Sequence, residues 1–393
     1  MDIARAKAFE IHIGEPLLAD LATRLEATRL PPEQGPAGWD AGASPDYLRA
    51  LLDHWRTVYD WRAHETSINR FAQFRAEVGF ADIHFIHERG RGPRPMPLIL
   101  THGFPDSFTR FLKIIPLLAD PAAHGGDESD AFDVVVPSLP WCGFSQEHIH
   151  GGGLFNVNQT WHELMSEVLG YERYGAHGGD WGSTITEHIA RSHAKSVIGI
   201  HLTDVPFWHS LHKPDDLQPI EREYVDAIQQ FQQKHGAYSL IQGTKPQTLA
   251  DGLNDSPIGL AAWLTEKFQR WSDCEGDIDN VFSKDEMLTN VMIYWVTGSI
   301  GGAFLPYFDV MNAGAPRWIA EAVKQKLGSD QVPAAFAMFP KDLSHPPREW
   351  AERFFNVQRW TRFEKGGHFA AMEQPEALAR DIREFFRPLR SAQ

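Results

Sequence analysis

The sequence predicts an α/β fold built on a mostly parallel sheet, wrapped by an N-terminal helical segment and interrupted late by a helical insertion. Three observations carry that expectation. Apolar runs of strand length at 97–101, 133–137, 174–178 and 196–202 alternate with helical patterns near 107–118, 159–170 and 181–193, the rhythm of βαβ units. After about Asp204 the rhythm gives way to amphipathic helical runs at 221–234, 258–271 and 284–298. It resumes with strand-like 334–339 and 360–363 and a helix over 375–386, which would complete the sheet.

In chain order, the first ninety residues read as helical and rich in aromatic side chains. Leu17, Leu18, Leu21 and Leu25 recur at helical spacing, as do Tyr47, Leu48, Leu51, Leu52, Trp55 and Val58, and such stripes bury themselves against a neighbour. From Asp82 the period shortens: Ile83, Phe85 and Ile86 form a strand-like run, and the glycine/proline stretch from Arg89 to Pro93 reads as a turn. In the insertion, Ser283-Lys-Asp-Glu286 opens the last amphipathic run as a capping box, each side chain meeting a free backbone amide. The expected divisions are an N-terminal segment 1–92, a first core part 93–205, a helical insertion 206–320 and a second core part 321–393.

The chain has 393 residues, 42% apolar and 23% charged, a composition that can bury a sizeable core. Its net charge of −15, with no basic run, excludes binding to nucleic acid or an anionic membrane surface as the expected role. Two cysteines, Cys142 and Cys274, cannot build a disulfide framework or a cysteine-rich metal site and fit a reducing compartment. The N-terminal stretch lacks an apolar signal core and no run of about 18 apolar residues occurs, so a soluble cytoplasmic protein is expected.

The chemistry concentrates in Gly178-Gly179-Asp180-Trp181-Gly182-Ser183, between an apolar strand and a helix. Small residues around a central one suit a sharp strand-to-helix turn that pushes the central side chain into a cleft. That side chain is Asp180, which read alone is also an ordinary helix N-cap. A carboxylate nucleophile gains little on an ester carbonyl, whereas displacement at an sp³ carbon yields a hydrolysable ester, so epoxides or alkyl halides are the expected substrates. Thr101-His102-Gly103-Phe104-Pro105 follows the preceding strand, and the backbone N–H groups of Phe104 and Trp181 are candidates to bind an oxyanion. Hydrolysis of the ester needs a base, and Gly366-Gly367-His368-Phe369 supplies it in the order nucleophile, acid, histidine. The acid should follow a late strand: Asp342 does so after 334–339, with Asp204, after 196–202, as the second candidate.

With those residues in place, the chain resembles the epoxide hydrolases of the microsomal and juvenile-hormone type, within the α/β-hydrolase family. The resemblance runs through Tyr47-Leu-Arg-Ala-Leu-Leu-Asp-His-Trp55, Tyr59-Asp-Trp61, Asn69-Arg-Phe-Ala-Gln-Phe74, Pro137-Ser-Leu-Pro140, Gly143-Phe-Ser145, Leu253 to Leu260, Leu288 to Trp295 and Gly366-Gly-His-Phe-Ala-Ala-Met-Glu373. It implies an α/β-hydrolase fold with a mostly parallel central sheet, a helical lid inserted after the sixth strand and an N-terminal wrapping segment. It also implies two lid tyrosines over the nucleophile, matched by Tyr238 in His235-Gly-Ala-Tyr-Ser and Tyr307 in Phe304-Leu-Pro-Tyr-Phe. A protonated phenol can hydrogen-bond the alkoxide of an opening oxirane. No cofactor or metal is implied; the partner is a small-molecule epoxide, and a homodimer is expected from related enzymes.

Where relatives usually carry Gly-Tyr before Gly-Phe-Ser, this chain has Trp141-Cys142, which is expected to thicken the pocket wall near Gly143. Phe155, Trp208, Trp263 and Trp271 are further candidates for an aromatic pocket favouring bulky or aryl epoxides, with core packing the competing explanation. Microsomal relatives begin with a membrane anchor that this sequence does not show, so a membrane location is not carried over. Two alternatives remain at this level: a haloalkane dehalogenase sharing Asp-Trp-Gly, disfavoured by the two tyrosines and by Phe104, and a binding protein without catalysis on the same fold.

Overall fold

The apolar runs become strands because consecutive aliphatic side chains bury both faces, as parallel strands flanked by helices require. A computed structural model describes residues 6–32, 38–147, 153–211, 214–312 and 331–392. Setting aside two two-residue strands, Lys7–Ala8 and Gln146–Glu147, the sheet consists of β1 (Gln73–Val78), β2 (Ala81–Glu88), β3 (Met96–Thr101), β4 (Phe132–Pro137), β5 (Tyr174–Gly178), β6 (Val197–Leu202), β7 (Pro333–Met338) and β8 (Asn356–Arg362). Every residue of β3, β4, β5 and β6 is buried.

Spatial order is β1-β2-β4-β3-β5-β6-β7-β8, antiparallel from β1 to β4 and parallel from β4 onward. The chain leaves β3 toward β4 on one side and returns to β5 on the other, so the order reverses between β3 and β5. At such a switch point the two connecting loops diverge and leave a crevice outside the carboxyl ends of the strands. The register pairs Thr101 with Gly178 and Leu202 with Phe336, so loops 102–105, 179–182, 203–205 and 339–343 leave the sheet at one edge.

The helical insertion follows β6, as expected, and covers that edge with helices Pro219–His235, Ala237–Thr244, Pro246–Asp255, Pro257–Trp271, Lys284–Thr297 and Ile300–Asn312. The capping box at Ser283 and Glu286 forms in both directions. The expected boundary at 320/321 lies outside the described residues. Helices Glu15–Glu26 and Pro45–Thr57 pack on Pro257–Trp271, and the latter also on Lys284–Thr297, so the N-terminal segment braces the lid; Tyr59 Oη to Thr289 Oγ1 at 3.1 Å joins the same surfaces.

Two local expectations are corrected. Residues 73–78 are not part of a helical segment: Gln73–Val78 alternates polar and apolar residues and pairs with β2 through a hairpin turned at Gly79, whose φ of 58° suits glycine. The six-residue alternation is too short to stand out until its partner strand is known. Val58 falls beyond the helix ending at Thr57 and is 64% exposed, so the apolar stripe stops at Trp55. Among the described residues no single helix is long and apolar enough to cross a membrane.

Candidate active site

Asp180 sits at the end of β5 with φ 59° and ψ −127°, a conformation that costs a non-glycine residue roughly 1–3 kcal/mol and persists only under tertiary constraint. The constraints are visible. Asp180 N–H donates to Asp204 Oδ1 at 3.0 Å, and Ser183 Oγ donates to the same oxygen at 2.5 Å. Gly182 passes so close to β3 that a Cβ there would lie 2.7 Å from the Thr101 carbonyl carbon, so the turn admits no side chain. As a result the Asp180 side chain makes no helix-capping bond and faces the cavity instead.

The loop after β3 supplies the first partner: Phe104 N–H donates to Asp180 Oδ1 at 2.8 Å. Trp181 N–H is the first amide of the helix that follows Asp180, and the Trp181 indole stands edge-on to the Tyr307 ring at 4.9 Å. The loop before the C-terminal helices supplies the second. His368 Nε2 lies 3.6 Å from Asp180 Oδ2, and its Nδ1 is 2.7 Å from Asp342 Oδ1. Burial disfavours the charged imidazolium, but Asp342 and then Asp180 outweigh it and push the His368 pKa up to about 10. Asp342, not Asp204, therefore holds the histidine; the Asp204 carboxyl is raised to about 7 by burial and by Asp342, and braces the turn.

Tyr238 and Tyr307 face this carboxylate from the lid, with rings 5.9 Å apart and both in contact with the Phe104 ring. Burial raises both phenols above their ordinary range; Asp180 adds to this for Tyr238, and Tyr238 and then Asp180 add to it for Tyr307, so both stay protonated donors at neutral pH. The cavity in front of Asp180 measures about 410 Å³, and its outer wall is apolar, with Phe207, Ile228, Phe231, Leu240, Val310 and Met311.

Among the described side chains, Trp141, Trp208, Trp263 and Trp271 do not line that wall. The Trp141 backbone packs against Gly302, and its side chain is buried away from the cavity, so Trp141-Cys142 does not thicken the wall. Trp208 turns inward and stacks on His209, leaving its neighbour Phe207 on the cavity. One residue of offset in a short turn of helix decides which ring points outward, and sequence alone does not show that offset. Trp263 bonds Gln242 Oε1 at 3.2 Å, and Trp271 packs behind the site, 5.2 Å from Tyr238 and 5.4 Å from His368. The side chain of Phe155 lies outside the described residues.

The sequence reading missed a buried brace. Asp106 and Arg110 form an ion pair at no more than 1% exposure; Gly103 N–H donates to Asp106 at 3.1 Å, and Arg110 donates to the His368 carbonyl at 2.6 Å. One cation thus ties the Phe104 loop to the His368 loop. The i,i+4 Asp-Arg pair immediately after the His-Gly-Phe-Pro motif was the available signal. Glu373 was missed as well: it accepts N–H bonds from Asp273 of the lid and Phe369 beside His368, both at 2.9 Å. Among the described residues no group of acidic, histidine and cysteine side chains could hold a metal ion.

Comparison with known proteins agrees with this geometry. Residues 6–111 match the epoxide hydrolase N-terminus family and residues 96–233 the alpha/beta hydrolase fold family. Epoxide hydrolase 1 of Sus scrofa is 33% identical over 96% of this chain and 88% of its own length. The crystal structure of juvenile hormone epoxide hydrolase from the silkworm Bombyx mori superposes with a TM-score of 0.84 at 26% identity, covering 98% of this chain and 95% of that one. The structure of Aspergillus niger epoxide hydrolase gives 0.83 at 26% identity over 98% and 96%. A helix-braced α/β-hydrolase core, a lid closing over an aspartate elbow and relatedness along nearly the whole chain place this protein in the epoxide hydrolase family, in its microsomal and juvenile-hormone branch.

Proposed function

We propose that this epoxide hydrolase forms its diol through a covalent ester on Asp180. The observation that carries the reading is the division of labour between the two carboxylate oxygens: Oδ1 is held by Phe104 N–H, while Oδ2 faces His368 and the cavity. Oδ2 attacks an oxirane carbon, the carbon–oxygen bond of the ring breaks, and the departing oxygen takes a proton from Tyr238 or Tyr307. Esterification removes the negative charge of Asp180, one of the two that stabilise the imidazolium, so the His368 pKa falls; the imidazolium gives up its proton, the phenolate left by ring opening regains one, and the neutral ring can act as base. Oriented by Asp342, His368 takes a proton from water as the water attacks the ester carbonyl. Phe104 and Trp181 N–H groups receive the oxyanion, and the intermediate collapses to release the diol and restore the carboxylate.

The apolar wall supports a substrate with a bulky lipophilic or aryl substituent seated against Phe207, Phe231 and Leu240. Cys142 and Cys274, both free and buried, support a reducing, cytoplasmic setting. The test is styrene oxide hydrolysis followed by chiral chromatography of the diol. The wild type should turn over, Asp180→Asn should make no diol, and His368→Gln should gain the mass of one substrate and stall. Full turnover by either variant would remove that residue from the mechanism.

A further inference from the structure

A second cleft of about 370 Å³ opens on the far side of Asp342, between the lid and the core. Helix Pro219–His235 contributes Lys234 and His235, helix Pro257–Trp271 contributes Arg270, and the loop after β7 contributes Lys341 and His345. Asp342 is the single carboxylate among its lining residues, and it is committed to His368. Glu266, which acts electrostatically on His235, is taken by Lys267. Arg24, Arg62, Arg110, Arg353 and Arg359 pair with carboxylates, whereas Arg70, Arg222 and Arg390 bond neutral oxygens. Lys234, Arg270 and Lys341 make no ion pair among the described residues, and Arg270 instead lies 2.6 Å from the His235 ring nitrogen.

Three exposed cations without a carboxylate partner thus converge on one concavity in a chain of net charge −15, and His235, whose pKa burial and then Arg270 lower, adds a neutral ring beside them. We propose that this cleft is an oxyanion site, taking a carboxylate or phosphate group that bridges lid and core beside Asp342. Lysine and arginine here offer charge-assisted donors from both sides of the lid–core seam, so an anion seated between them would hold the lid closed. Phe231, Asp342 and Leu343 line both this cleft and the reaction cavity, so the anion can be free in solution or be the carboxylate of a substrate whose oxirane lies at Asp180.

The test uses inorganic phosphate and the full chain, with sodium chloride holding ionic strength constant. Phosphate should raise the melting temperature of the wild type saturably. Lys234→Gln, Arg270→Gln and Lys341→Gln should each weaken phosphate binding about two- to fivefold, as for partly exposed charge contacts, and together should abolish the shift. An equal shift in wild type and triple variant, or no shift in either, overturns the site. Styrene oxide turnover by the triple variant checks that it is folded, and the singles serve if it is not.

The second arm, which rests on the proposed function, compares 10,11-epoxyundecanoate with its methyl ester. Preference for the acid, lost in the triple variant and competed by phosphate, assigns the anion to the substrate. No preference with an intact phosphate shift assigns it to a free anion. If styrene oxide itself is not hydrolysed by the wild type, the catalytic reading fails while the melting experiment still decides the cleft.

Discussion

Replacing Gly103 by alanine should cripple the enzyme without unfolding it. A Cβ at this position would lie 2.5 Å from Asp180 Cβ and 2.7 Å from its carboxyl carbon. Ordinary contact between carbon atoms is about 3.5 Å, so one loop must retreat by about 1 Å. Asp180 cannot give way easily, because its backbone is strained and pinned by Asp204. The displaced element carries the 2.8 Å bond from Phe104 N–H to Oδ1 beyond hydrogen-bond length. Loss of one oxyanion donor costs about 10²–10³ in kcat, or about 2.7–4 kcal/mol, and a 1 Å misplacement alone can cost about 10²-fold. Because the donor acts in ester hydrolysis, the ester should accumulate during turnover of styrene oxide, visible as added mass on the intact protein. A folded Gly103→Ala variant with kcat within about threefold of wild type would refute both the oxyanion role of Phe104 and the close approach that the glycine permits.

Other expectations follow from buried charges. Arg110→Met leaves Asp106 buried and unpaired, and should lower stability in urea by about 3–5 kcal/mol; replacing Asp106 by leucine as well should recover more than half of it, and an unchanged midpoint for the single variant would contradict the brace. Asp204→Asn keeps an acceptor for Asp180 N–H and Ser183 Oγ, so most of kcat on styrene oxide should survive, whereas Asp204→Ala should lose at least tenfold; equal rates in the two variants would count against the brace. Asp381 lies under the sheet with its carboxyl lowered to about 2, burial opposing the shift and bonds from His201, Thr361 and Arg359 prevailing. A depressed carboxylate stabilises above its unfolded pKa of about 3.9 and loses that contribution as pH falls through about 2, so Asp381→Asn should cost about 2 kcal/mol at pH 7 and progressively less below pH 4. A gap in urea stability that stayed constant down to pH 2.5 would count against it.

The residues proposed as nucleophile, base and acid were legible before any coordinates because the chemistry expected of them is tied to local backbone. Asp180 needs small neighbours at a strand-to-helix turn, His368 follows a glycine pair, and Asp342 follows a late strand, and each of these signals lies within a few adjacent residues. Tyr238 and Tyr307 were legible only through resemblance, since nothing in their own surroundings separates them from the other six tyrosines among the chain's eight. Trp141 and Trp208 failed as pocket residues because an aromatic ring's role depends on which way a short turn faces, and Phe207, one residue away, took the place of Trp208 on the cavity.

By itself the sequence determined the parallel strands of the core, the helical insertion, the order of the candidate catalytic groups and the reaction class they suit. Tertiary structure separated Asp342, which the sequence already put ahead, from Asp204, since both follow a strand at the same edge and only Asp342 makes the 2.7 Å contact to His368. It alone brought together Asp106, Arg110 and the His368 carbonyl, 258 residues apart in the case of the last bond, and Lys234, Arg270 and Lys341 from three separate segments of an acidic chain. Local pattern records what a segment's backbone can adopt, whereas charge pairing and cavity walls depend on distances through space that chain spacing does not encode.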